Sequence, residues 1–141
     1  MSIDFIKKAK FVFLDFDGVI KDSVVVKSDV FESLFLHFNI NIAKKVRSHH
    51  ENNIGMSRFE KIPIYLKYAD QKVSEELTKS YEKKFSNIVV QKVIDSQWVN
   101  GIQDYLKKNY KKQKFFLITS TPQKEIEEII YKLNIFQYFE M

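Results

Sequence analysis

The stretch FVFLDFDGVIKDS, residues 11–23, most constrains what this chain folds into. A continuous apolar run, rich in β-formers, drives into Asp15, Asp17 and then Gly18. Such a run reads as a strand buried on both faces of a parallel sheet. The predicted strand covers residues 11–16. Residues two apart in extended backbone share a face, so Asp15 and Asp17 are expected to project together from the strand's end. Gly18 lets the backbone turn away, because it has no Cβ. Two crowded carboxylates repel unless a cation intervenes, and Mg²⁺ takes oxygen ligands of this kind. A strand ending in a turn uses the same residue types. An EF-hand fails on spacing, since it needs glycine sixth and glutamate twelfth in its loop. Counted from Asp15, the glycine is fourth and the twelfth residue is Val26.

A second apolar run, FFLIT at 115–119, predicts a second strand. Between the two runs the periodicity is helical. Val30, Phe31, Leu34, Phe35 and Phe38 recur at helical spacing over 28–38. Ser57 is placed to cap a helix over 57–69 carrying Phe59, Ile62 and Leu66, with Pro63 expected to kink or break it. Val73, Leu77, Tyr81 and Phe85 repeat every four residues over 73–91. Asn100-Gly101 signals a turn before a stripe of Ile102, Tyr105 and Leu106. Over 121–133, Thr121 is the N-cap candidate and Pro122 suits the first helical position. Ile126, Ile129, Ile130 and Leu133 form that helix's buried stripe. Strand, long helical excursion, helix, strand and helix make an α/β layout with a parallel sheet. A βαβ crossover needs one helix, so the extra material reads as an insertion. Placed after the first strand, it is expected over the carboxyl ends of the strands, where open α/β sheets bind ligands.

Composition narrows the function classes. The chain has 141 residues, one domain or one with an insertion. It has no cysteine, which removes disulfides and thiolate metal sites and suits a reducing, cytoplasmic setting. The apolar runs are too short for a membrane helix. The N-terminus MSIDFIKKAK lacks a signal peptide's apolar stretch and cleavage site. The formal charge of +5 invites a nucleic-acid partner. The lysines are spread out except at Lys107, Lys108, Lys111, Lys112 and Lys114, late in a predicted helix, where a solvated cationic face is ordinary. No nucleic-acid partner is expected.

LDFDGVIKDS resembles the first motif of the haloacid dehalogenase-like (HAD) hydrolases, an apolar strand running into Asp-x-Asp-Gly-[Val/Thr], with Asp22-Ser23 at the usual distance. FFLITSTP is similar to the family's second motif, with Thr119 in place. The resemblance implies a Rossmann-like parallel-sheet core, residues 1–19 and 96–141, incomplete at the C-terminus, with an α-helical cap inserted at 20–95. It implies that Asp15 is the nucleophile, that Asp17 is the general acid and then base, and that the Asp15 side chain and the Asp17 backbone carbonyl help bind Mg²⁺. It also implies that Thr119 and the Ser120 amide hold the phosphoryl group, beside Gly18. Asp17 points to phosphate esters rather than halides, because halide leaves without a proton. Gly55, Ser57, Arg58 and Lys61 resemble a cap loop of phosphatases and mutases acting on phosphorylated sugars or related metabolites, so Arg58 is a candidate contact for a substrate anion. A solvated Arg beside a helix cap is the plainer reading of that residue. His49 and His50 are adjacent and diverge on a helix, which disfavours a metal site there. Trp98 reads as packing.

Two further parts of the family pattern, a lysine and an acidic pair, would lie beyond Ile135–Met141. The expectation is therefore the N-terminal part of a HAD phosphatase, with weak activity alone or none. A phosphomutase and a non-catalytic truncated relative share these residues. The sheet is expected to lack a strand beside the first, an apolar edge that a homodimer could cover.

Overall fold

A computed structural model describes residues 3–140, with side chains from Ile6 onward. The elements are α1 (Ile3–Lys8), β1 (Phe11–Leu14), α2 (Val24–Phe35), α3 (Ile40–Asn52), α4 (Arg58–Tyr68) and α5 (Glu75–Asp95). They continue with α6 (Ile102–Asn109), β2 (Lys114–Leu117), α7 (Gln123–Lys132) and a 3₁₀ turn over Phe136–Tyr138. The chain divides into two compact units, Met1–Asp22 with Ser96–Met141, and Ser23–Asp95.

The first unit is an α/β Rossmann-like core. β1 and β2 pair in parallel, with Phe11 opposite Lys114 and Leu14 opposite Leu117. Beyond β2, Phe139 forms a parallel bridge with Phe115, and the Glu140 N–H donates to the Phe115 carbonyl at 2.8 Å. Among the described residues, β2 thus has neighbours on both sides and β1 has one. Gln113 ties three elements together. Its side-chain amide donates to the Ile6 and Ala9 carbonyls at 2.7 and 2.8 Å, satisfying the end of α1. The Tyr105 hydroxyl on α6 donates to its carbonyl oxygen at 2.7 Å.

Both strands are shorter than the apolar runs that predict them, ending at Leu14 and Leu117 where the cross-strand ladder ends. Burial on both faces is not observed either. Phe115 is fully buried, but Phe11 and Phe13 are 58% and 62% exposed. These two share a face with Phe116, which is half-buried. α7 begins at Gln123, so Pro122 is the N-cap rather than the first helical residue, and Thr121 does not cap.

The second unit is a helical assembly in which α2 packs on α3 and α5, and α4 on α3 and α5. Its centre is aromatic. Phe31 stacks on Phe85 at 4.0 Å between centroids, and Phe35 meets Tyr65 edge-on at 5.7 Å. Of the predicted stripe, Tyr81 and Phe85 are buried and the pattern continues to Val89 and Val93, whereas Leu77 is half-buried and Val73 precedes α5. Phe59 leaves the α4 stripe and is 51% exposed. A capping box starts α4, with the Glu60 carboxylate accepting from the Ser57 N–H at 3.2 Å. Pro63 does not break the helix; α4 runs through it, held by Ile62, Tyr65 and Leu66 in the core. Asn39 caps α3, its side chain accepting from Ile42 N–H at 2.9 Å.

Candidate active site

The last backbone link between the strands places the site. The Ile118 N–H donates to the Leu14 carbonyl at 2.8 Å. Asp15 follows Leu14 and Thr119 follows Ile118, so both leave the same carboxyl edge of adjacent parallel strands. Thr119 is half-buried, and its hydroxyl oxygen accepts from the Thr121 N–H at 3.1 Å. Ser120 is exposed and stands three residues before α7.

Asp15 is exposed, and its Oδ1 accepts from the Phe16 N–H at 2.6 Å. Phe16 is fully buried and anchors the loop. Its carbonyl accepts from Ile20 and Lys21 N–H at 2.9 and 3.2 Å. Asp17 is half-buried and lies in this turn, not in the strand; it bridges to Lys21. Gly18 has φ 76°, the left-handed region that glycine enters without steric cost. The two carboxylates are therefore set by a strand end and a tight turn, rather than by strand alternation.

The donors here are hard oxygens. Mg²⁺ takes carboxylate and carbonyl oxygens and keeps several waters, so the Asp15 carboxylate and the Asp17 backbone carbonyl fit it. Among the described residues no group of three or more His, Asp or Glu side chains is close enough to hold a metal ion, so no third acidic ligand joins them. Beside Thr119 lies a cavity of about 180 Å³ lined by Leu117, Thr121, Gln123, Glu127, Phe139 and Glu140 among others.

Arg58 lies in the helical unit and is not a solvated side chain. It is 7% exposed, donates to the Ser86 hydroxyl at 2.7 Å and lies 4.7 Å over the Phe85 ring. Lys61, 1% exposed, is 2.9 Å from His50 Nδ1. His49 and His50 do diverge on α3: His49 Nδ1 is 3.2 Å from the Tyr65 hydroxyl. Lys21 is the residue that sequence reasoning passed over. It is 1% exposed, with its ammonium 4.5 Å over the Trp98 ring. A lone lysine in a loop looks solvated in a sequence, and Trp98 is 77 positions away.

Residues 12–141 match the family model for haloacid dehalogenase-like hydrolases. No curated protein matches the chain. Among solved structures, a Bacillus subtilis protein assigned as a HAD hydrolase and solved with magnesium aligns at TM-score 0.68 and 14% identity, over 94% of this chain and 63% of its own. A Haemophilus somnus protein assigned as a phosphoglycolate phosphatase gives 0.67 and 16%, over 94% and 60%. A Thermotoga maritima protein assigned as a β-phosphoglucomutase gives 0.63 and 20%, over 93% and 59%. The chain thus spans 59–63% of the length of these structures.

Proposed function

Because the chain belongs to the haloacid dehalogenase-like hydrolase family, we propose that it carries the nucleophile-bearing part of a Mg²⁺-dependent phosphatase acting on a small phosphorylated metabolite, such as a sugar phosphate. The observation that carries this reading is the placement of Asp15 and Thr119 on the two strand ends joined by the Ile118–Leu14 hydrogen bond. Asp15 is the nucleophile. Its Oδ1 accepts from the Phe16 N–H, so Oδ2 is the attacking oxygen. Oδ2 bonds to phosphorus, the ester P–O bond breaks, and Asp17 gives its proton to the departing oxygen. Asp17 then takes a proton from water; the water oxygen bonds to phosphorus, and the Asp15–P bond breaks to release inorganic phosphate. The Thr119 hydroxyl and the Ser120 amide donate to the phosphoryl oxygens, and Gly18 lets the turn approach them. Arg58 is the candidate contact for an anionic part of the substrate, through its guanidinium fork. Asp15 and Asp17 hold Mg²⁺, which when bound neutralises charge on the phosphoryl oxygens.

Residues 1–141 span 59–63% of the length of the solved structures they match, so turnover by this chain is expected to be slow even where binding is intact. The test is therefore binding. Beryllofluoride, a mimic of a phosphoryl group on a carboxylate, should bind the chain in a Mg²⁺-dependent way, read by ¹⁹F NMR. Asp15→Asn should abolish the signal. A chain that binds neither Mg²⁺ nor beryllofluoride sinks the reading.

A further inference from the structure

The turn that carries Asp17 is closed on itself and then pinned to a distant segment. Gly18 N–H donates to the Lys21 carbonyl at 2.7 Å, and Lys21 N–H donates to the Phe16 carbonyl at 3.2 Å. Asp17 and Lys21 form a parallel bridge, while Lys21 and Trp98 form an antiparallel one. On either side of Lys21, Asp22 N–H donates to the Gln97 carbonyl at 2.8 Å and Val99 N–H donates to the Ile20 carbonyl at 3.1 Å. Lys21 is the residue that the two bridges share. Its own side chain lies on the same segment, with the ammonium 4.5 Å from the centre of the Trp98 ring and 1% of the residue exposed.

A buried lysine is a costly choice for filling space. Its ammonium loses hydration, and an apolar side chain of similar length packs without that loss. Among the contacts the lysine adds is a cation–π attraction to Trp98, which strengthens on desolvation and is directional. It ties one point of the turn to one ring. The backbone bonds around it join the turn to residues 97–99, and the side chain adds a contact to the same segment.

We propose that Lys21 is a positioning residue of the site: clamped on Trp98, it holds the Asp17–Gly18 turn in place, so that the Asp17 carboxylate stays where its proton transfers are made. The second half of this statement rests on the phosphatase reading of Asp17; the first half does not. Displacement of a reacting group by about 1 Å is worth about a hundredfold in rate, so a clamp remote from the reacting atoms is enough to matter.

Three variants test it. Lys21→Met keeps the stem and removes the charge, Lys21→Arg keeps a cation able to lie on the ring, and Trp98→Leu removes the ring. Amide hydrogen exchange is followed at Gly18 and Asp22, whose N–H groups make the pinning bonds, and at Lys114, whose N–H donates to the Lys10 carbonyl at 2.9 Å in the strand ladder. In Lys21→Met and Trp98→Leu, exchange at Gly18 and Asp22 should rise by about tenfold or more while Lys114 stays as in the parent. Lys21→Arg should restore most of the protection. Beryllofluoride affinity should follow the same order. Unchanged exchange at Gly18 and Asp22 overturns the proposal. So does an equal rise at Lys114, which means general destabilisation, or a failure of Lys21→Arg to do better than Lys21→Met. Should Lys21→Met not fold, Trp98→Phe weakens the clamp more gently and is read at the same amides. A parent chain that binds no beryllofluoride removes the phosphatase reading, and the exchange data still decide whether Lys21 holds the turn.

Discussion

Phe13 and Phe116 stack across the two strands, 5.0 Å between ring centroids and 23° apart, on a sheet face where Phe13 remains 62% exposed. The opposite face holds Phe115, which is fully buried. The same residue type in the same two-stranded ladder thus has two different energetic roles. Phe115→Ala should cost about 3–5 kcal/mol by urea denaturation, the usual cost of emptying a phenylalanine site in a core. Phe13→Thr should stay within about 1 kcal/mol, since it removes little buried area and Thr suits a strand. It should also reduce any concentration-dependent association seen by sedimentation, because exposed aromatic faces associate. Equal costs for the two substitutions would contradict the assignment of the faces.

Arg47 on α3 gathers three carboxylates. Its NH1 contacts Asp29 at 2.6 Å and Glu32 at 2.7 Å, and its Nε contacts Glu51 at 2.9 Å. The hydrogen bonds to Glu32 and then Asp29 raise its pKa further above its ordinary value. The side chain keeps 29% exposure, so water and salt screen the network. Arg47→Met should destabilise by about 1 kcal/mol in low salt, more than an isolated surface pair, because it also leaves like charges together. Raising NaCl to about 1 M should remove most of that difference. A cost independent of salt would mean that the arginine acts through packing of its stem.

His49 gives the helical unit a pH dependence. Burial, and then the nearby Lys61 ammonium, lower its pKa from the ordinary value. The unfolded chain therefore takes up the proton first, and stability falls as the pH drops below about 6.5. His49→Gln removes that term. The stability gap between parent and variant should shrink steadily from about pH 7 to pH 5, read by thermal or urea melts. A gap that stays constant over that range, or widens toward acid, would show that His49 is not held neutral in the fold.

Much of this fold is legible in the residues. The apolar runs locate both strands, and the four-residue stripe through Tyr81 and Phe85 locates α5 and its buried side. Thr119 stands out through the resemblance of FFLITSTP to the family's second motif, since a hydroxyl residue after an apolar run is common by itself. What stayed hidden is set by distant contacts. Phe11 and Phe13 read as buried because local pattern cannot report what covers a sheet face. Pro63 read as a kink or a break because tertiary packing that holds a helix through a proline leaves no local trace. Lys21 carries no local signal because its partner, Trp98, is brought in by the fold alone.

Gly18 offers the sharpest separation of backbone strain from packing. Its φ of 76° is in a region where a Cβ collides with the following carbonyl. Alanine there should cost about 1–2 kcal/mol, and asparagine less, since its short polar side chain tolerates this conformation. Gly55 is the control. It has no positive φ, and nothing lies within 4 Å of where its Cβ would be. Gly55→Ala should therefore be neutral or slightly stabilising, through the unfolded chain alone. The two substitutions add the same methyl group, so hydrophobic and volume effects cancel in the comparison. If Gly18→Ala instead relaxes the turn, the Gly18 N–H loses its 2.7 Å bond to the Lys21 carbonyl and exchanges faster, with a smaller loss of stability. Urea melts and amide exchange together separate these responses. A neutral Gly18→Ala with unchanged exchange at residue 18 would show that the turn does not need glycine.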